Sequence, residues 1–151
     1  MMAGPFHRYP LGALETLYAY RLEQARLRLA SAQRKLDKDQ ASLRQLQLAL
    51  NRCHEEWTAA VGGRERFDPA HYAAAREALA VRQTALVAAL GAERESSAEV
   101  DRCRADVTHA YRRAEAVGRH KEQFMHEHAV KATRIRQNEA DEAWSLRGRR
   151  A

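Results

Sequence analysis

Glycine and proline are scarce in this chain of 151 residues, seven and three respectively, and that leaves too few turn formers for a strand-and-turn protein. Its two cysteines, Cys53 and Cys103, are too few for the disulfide framework of a small secreted domain, and they read as small core residues in a reducing compartment. No window approaches eighteen apolar residues, so insertion into a membrane is not expected. The opening residues MMAGPFHRYP lack the apolar stretch of a secretory signal, which points to a cytoplasmic protein. Equally missing are a glycine-rich phosphate loop, a nucleophile elbow, a CxxC pair and a zinc-spaced Cys/His set. No enzyme activity, cofactor or metal is therefore expected. The cluster His120, His126 and His128 does not change this, because no pair is spaced i,i+4 and His126 and His128 point about 200° apart around a helix.

Charge is plentiful but mixed. Charged residues make up 30% of the chain and the formal net charge is +6, with an isoelectric point near 9.7. Arg and Lys are interleaved with Asp and Glu, as in Arg34, Lys35, Asp37, Lys38 and Asp39, the pattern of a solvated helix face. There is no basic cluster interleaved with aromatics and no basic region leading into a parallel zipper, so nucleic-acid binding is not expected.

What the chain does have is an uninterrupted leucine row. Leu22, Leu29, Leu36, Leu43 and Leu50 recur every seventh residue, and Trp57 takes the next step. Tyr18, Ala25, Ala32, Leu46, Cys53 and Ala60 complete a 3-4 alternation broken only at Asp39. This is a coiled-coil seam, a narrow apolar stripe that must be buried on another helix. With Ala, Leu, Arg, Glu and Gln dominant, the expected fold is all-α, an elongated antiparallel two-helix coiled-coil hairpin with a longer C-terminal helix.

The boundaries follow from local chemistry. Residues 1–9 form an N-terminal segment and residues 10–147 a single hairpin domain, with the first helix at about 10–60 behind Pro10, the turn at 61–68, the second helix at about 69–146, and a basic tail at 148–151. Gly62 and Gly63 stop the first helix, and Asp68 followed by Pro69 has the form of an N-cap with proline at the first helical position. The second seam reads Tyr72, Ala75, Leu79, Arg82, Leu86, Ala89, Glu93, Ser96, Val100, Cys103, Val107, Ala110, Ala114, Val117, Lys121 and Phe124. It is weakened at Arg82, Glu93 and Ser96.

A short turn makes the helices antiparallel and places residue i of the first roughly opposite residue 129 minus i of the second. Cys53 then faces the level of Arg76 and Cys103 that of Arg26, about 40 Å apart, too far for a disulfide. Gly12 and Gly118 fall near one level, where close pairing ends or the longer helix bends; two unrelated tolerated glycines fit equally well. Past Gly118 the helix-forming composition continues while the seam thins to Phe124, Ile135 and Trp144. This overhang amounts to roughly 40 Å of single helix beside a hairpin of about 75 Å. A helix of that length is marginal alone in water, so it is expected to order against a partner.

Three stretches carry a family resemblance: the opening YPLGAL ahead of an Arg/Glu-rich helix, FDPAHYAAAREAL after the short loop, and HKEQFMHEH followed by NEADEAWSLRGRR. Together they resemble the FliJ/YscO/HrpO group of small coiled-coil proteins of type III secretion systems. The resemblance implies a hairpin similar to the γ-subunit stalk of rotary ATPases, peripheral at the inner-membrane base of a secretion apparatus. Its implied partners are the hexameric secretion ATPase, the cytoplasmic ring of the export gate and, in some members, export chaperones. It assigns the overhang, with Lys131, Arg134, Arg136, Trp144, Arg147, Arg149 and Arg150, to the ATPase, and the turn-proximal Trp57, Phe67, Tyr72 and Leu79 to the gate. Trp57, Tyr72 and Leu79 also fit as the last layers of the seam. The largely alanine AHYAAAREAL departs from the aromatic-rich gate surface of flagellar members, which favours the virulence-type branch. The alternative from another class is a homo-oligomeric coiled-coil scaffold whose leucine row pairs between chains.

Overall fold

A computed structural model describes residues 9–62 and 68–148. Residues 1–8, residues 63–67 with Phe67 among them, and the tail residues 149–151 with Arg149 and Arg150 lie outside the described residues. The chain is an all-α helical hairpin of two helices, α1 at Gly12–Gly62 and α2 at Pro69–Gly148, with no strand among the described residues.

Each helix begins where local hydrogen bonding allows it. Ahead of α1, the Gly12 amide donates to the Tyr9 carbonyl (3.2 Å) and the Glu15 amide to Leu11 (2.9 Å). Glu15 adds a negative charge to the first turn, where the helix dipole favours one. At α2, the Ala70 amide donates to the Asp68 carboxylate (3.0 Å) and the Tyr72 amide to the Asp68 carbonyl (3.1 Å). Asp68 is thus an N-cap with Pro69 at the position whose missing N–H needs no partner. Arg147 ends α2 with a positive charge in its last turn.

Contacts group the chain into two compact units, Ala25–Val107 and Met1–Gln24 with Thr108–Ala151. Within Ala25–Val107, α1 and α2 pack antiparallel along the seam. Ala25, Ala32, Leu36 and Cys53 are buried from α1, and Ser96, Val100 and Cys103 from α2. Leu29, Leu43, Leu46, Leu50 and Trp57 are half-buried, as are Tyr72, Ala75, Leu79, Leu86, Ala89 and Val107. Of the seam positions only Ala60 and Arg82 are exposed. Ala32, Leu36, Val100 and Cys103 form the buried cluster, with Leu29 packed against it. In the second unit Tyr18 and Leu22 are half-buried and Val117 is buried.

The register differs from the sequence expectation by up to two helical turns. Trp57 meets Tyr72 at the expected position, with ring centroids 4.5 Å apart. Gln40, however, meets Glu93 rather than the level of residue 89, and Cys53 meets Arg82 rather than Arg76. Helical side chains lean toward their own N-terminus by about one position each, which accounts for about two residues of this offset; the rest is a difference in register away from the turn. The two cysteines are correspondingly closer than expected. Cys103 lies 21 residues along α2 from the Arg82 that touches Cys53, about 30 Å of helix, and both thiols are free.

Two polar seam residues are satisfied locally. The Arg82 guanidinium donates to Cys53 Sγ (3.3 Å), and Ser96, 1% exposed, donates to the Glu93 carbonyl of its own helix (3.1 Å). The Cys103 thiol donates to Glu99 Oε1 (3.7 Å). Burial, reinforced by the Glu99 and Asp106 carboxylates, pushes the Cys103 thiol up from its usual range, and Arg102 offsets this only in part. Exposed intrahelical ion pairs such as Arg119–Glu115 (2.8 Å) contribute little.

α2 runs unbroken through Gly91 and Gly118, and a Cβ built at either would meet nothing within 4 Å. No close approach requires glycine there. Gly91→Ala and Gly118→Ala should each raise stability by up to about 1 kcal/mol, read as an upward shift in the urea midpoint. Leu36→Asp should lower stability by about 3 kcal/mol or more through lost burial and a charge placed in the seam; a melting temperature equal to wild type would contradict the packing described. Because the raised thiol holds little thiolate, Cys103 should alkylate more slowly at pH 8 in the folded chain than in urea.

Candidate functional site

The C-terminal stretch of α2 continues because nothing stops it. From Arg119 to Arg147 there is no proline or glycine, and i,i+4 contacts such as Gln123 to Glu127 (3.1 Å) and Thr133 to the Ala129 carbonyl (3.0 Å) are local. From Ala129 to Gly148 every residue is exposed. Trp144 is 80% exposed, Leu146 64% and Ile135 57%. Among the described residues, Lys131, Arg134, Arg136 and Arg147 form no ion pair.

These side chains do not share a face. At about 100° per residue, Lys131 and Arg134 lie on one side of α2, while Arg136, Trp144 and Arg147 lie on the opposite side. Glu139, Asp141 and Glu142 fall between or beside them. A helix that is polar all round and lacks an apolar stripe has no single docking face. Its chemistry suits contact on several sides at once, with cations available in each direction.

Where this free stretch begins was not legible in the sequence. Pairing was expected to run out near Gly118, yet it extends one to two turns further. Lys121 forms an ion pair with Glu15 (3.0 Å to both carboxylate oxygens). The Tyr9 hydroxyl lies 2.9 Å from His120 Nδ1 and 3.4 Å from the Val117 carbonyl, to which it donates. The Tyr9 ring meets Phe124 edge-on at 5.5 Å, and Phe124 in turn packs against His128 at 4.2 Å. Tyr9 and Phe124 are half-buried. Tyr9 precedes the helix, so it belongs to no heptad, and the only trace of its partners is the i,i+4,i+8 spacing of His120, Phe124 and His128.

Near the turn, Trp57 and Tyr72 pack on each other at 41° between ring planes, and both are half-buried, as is Leu79. They occupy seam layers; Phe67 lies outside the described residues. A shallow groove lined by Ala74, Glu77, Ala78, Val81 and Arg82 runs along the neighbouring part of α2. Among the described residues no helix is long and apolar enough to cross a membrane.

No family model and no curated protein matches the chain. A solved structure does: CT670 of Chlamydia trachomatis, described as a candidate YscO homologue, matches with a TM-score of 0.79 at 19% identity, covering 92% of this chain and 93% of that one. The fold of this chain is therefore YscO-like.

Proposed function

We propose that this protein is a non-enzymatic stalk component of a type III secretion export apparatus, binding the hexameric secretion ATPase through the C-terminal stretch of α2 and linking it to the cytoplasmic ring of the export gate. The observation that carries this reading is the exposure of α2 on every side from Ala129 onward, together with cations that point in opposite directions around the helix. A flat partner would leave half of these groups unused. A ring that encloses the helix meets them all, and a ring of subunits lined with carboxylates would complement Lys131, Arg134, Arg136 and Arg147 through charge-assisted hydrogen bonds. The YscO-like fold supports the same reading. The location it implies is the cytoplasmic face of the inner membrane at the base of the apparatus, with the virulence-type branch favoured over the flagellar one. Gate contacts near Trp57, Phe67, Tyr72 and Leu79 and chaperone binding belong to the same proposal. Because Trp57, Tyr72 and Leu79 serve the seam, a gate partner would engage the outer faces beside them.

The test is hydrolysis by the secretion ATPase of the same organism. The full chain should bind the ATPase and raise its rate. A chain ending at Ala129, which keeps Glu15–Lys121 and the Tyr9 contacts, should stay helical and lose the effect. Charge reversal on both sides of the helix, Arg134→Asp with Arg136→Asp, should weaken binding by about tenfold or more, or about 1.4 kcal/mol, with helicity unchanged. A full-length protein that neither binds nor stimulates the ATPase would falsify the stalk.

A further inference from the structure

We infer that Asp39 selects the partner of α1: this charge, in the seam row that alternates with the leucines, prevents two copies of α1 from zipping together in parallel and favours the intrachain α2 as the seam's mate. The row is otherwise a self-complementary zipper. In a parallel pair each seam residue faces its twin, so leucine would meet leucine from Leu22 to Leu50. Asp39 lies midway between Tyr18 and Ala60, 21 residues from each, where the twin of a carboxylate would be another carboxylate, buried with no counter-charge.

The intrachain seam is built differently at that level. The contacting pairs on either side, Gln40 with Glu93 and the cluster of Leu36 with Val100, place Asp39 beside Glu93 and Ser96. Glu93 is half-buried, and its Oε1 accepts from Gln40 Nε2 (3.4 Å). Ser96 is small, 1% exposed, and its hydroxyl is occupied by the Glu93 carbonyl (3.1 Å). At that level the intrachain seam offers Asp39 a small uncharged neighbour in Ser96 and a carboxylate, Glu93, whose Oε1 is already engaged by Gln40, instead of an identical carboxylate directly opposite. The accommodation is incomplete, because Asp39 Oδ2 is buried without a hydrogen-bond partner. A seam position that weakens the pair it sits in and forbids a competing one is a specificity element, the recognised role of a lone polar residue in a coiled-coil core.

The experiment compares Asp39→Leu with Glu93→Leu, both in a Cys103→Ala background. Sedimentation equilibrium reads mass, and diamide, a thiol oxidant, reads the pairing. Two Cys53 thiols that face each other in a parallel pair give two protons and two electrons to diamide, which is reduced to the hydrazine, and join as a disulfide. The parent and Glu93→Leu should stay at one chain mass, 17.2 kDa, with Glu93→Leu melting higher. Asp39→Leu should double in mass at micromolar concentration and form the Cys53 to Cys53 bond. The inference is overturned if Asp39→Leu remains a monomer, if it doubles without that disulfide, if Glu93→Leu doubles as well, or if the parent chain is already so linked.

Discussion

The structure depends on one requirement, that a narrow apolar stripe on α1 be covered by α2 of the same chain. Neither helix has another source of strong stabilisation. Their surfaces are polar, their ion pairs are exposed, and an isolated helix of ordinary composition is marginal in water. Buried residues are few and small: alanine, cysteine and valine, with Leu36 the largest among them. Such a seam gains its stability from length, each layer adding a modest amount, so that a polar layer can be absorbed where one large core would fail.

Polar groups in the seam are handled by position. Arg82 reaches a sulfur, Glu93 accepts from Gln40 across the seam, and Ser96 bonds back to its own helix. Among the described residues Asp39 alone is left with a buried oxygen unpaired, and a buried group of that kind destabilises by about 1 to 3 kcal/mol. Its position at the centre of a self-complementary row gives that loss a purpose. Specificity of pairing and strength of pairing are opposed here, since the residue that would strengthen the seam most is also the one that would let it pair with itself.

The C-terminal end of α2 follows a different logic. Beyond His128 the heptad is abandoned, and α2 continues on helix propensity and local i,i+4 contacts. Exposure on all sides is a poor design for a helix that must be stable alone and a suitable one for a helix that orders within an enclosing partner. The aromatic group of Tyr9, Phe124 and His128 marks the border between the two regimes. It holds Tyr9, ahead of α1, against α2 at the last level where α2 has company among the described residues.

The two helices, their caps and the identity of nearly every seam residue were legible in the sequence, because a 3.5-residue repeat maps directly onto one helix face and because Asp68–Pro69 is a local signal. The contact register was not, since the turn position fixes it only near the turn, where Trp57 meets Tyr72, and the pairing further along depends on how the two side-chain rows interlock. The end of pairing was missed for a related reason: Tyr9 stands outside the helix and carries no period. The candidate cations were visible as residues, but their distribution on opposite sides of α2 has meaning only once the stretch is known to be an unaccompanied helix. The sequence by itself therefore determined the helices and the stripe, both set by short-range periodicity. Which side chains meet across the stripe, and where the described residues stop covering α2, were decided only in the tertiary structure, where the interlocking of the two side-chain rows and a non-helical tyrosine set the contacts.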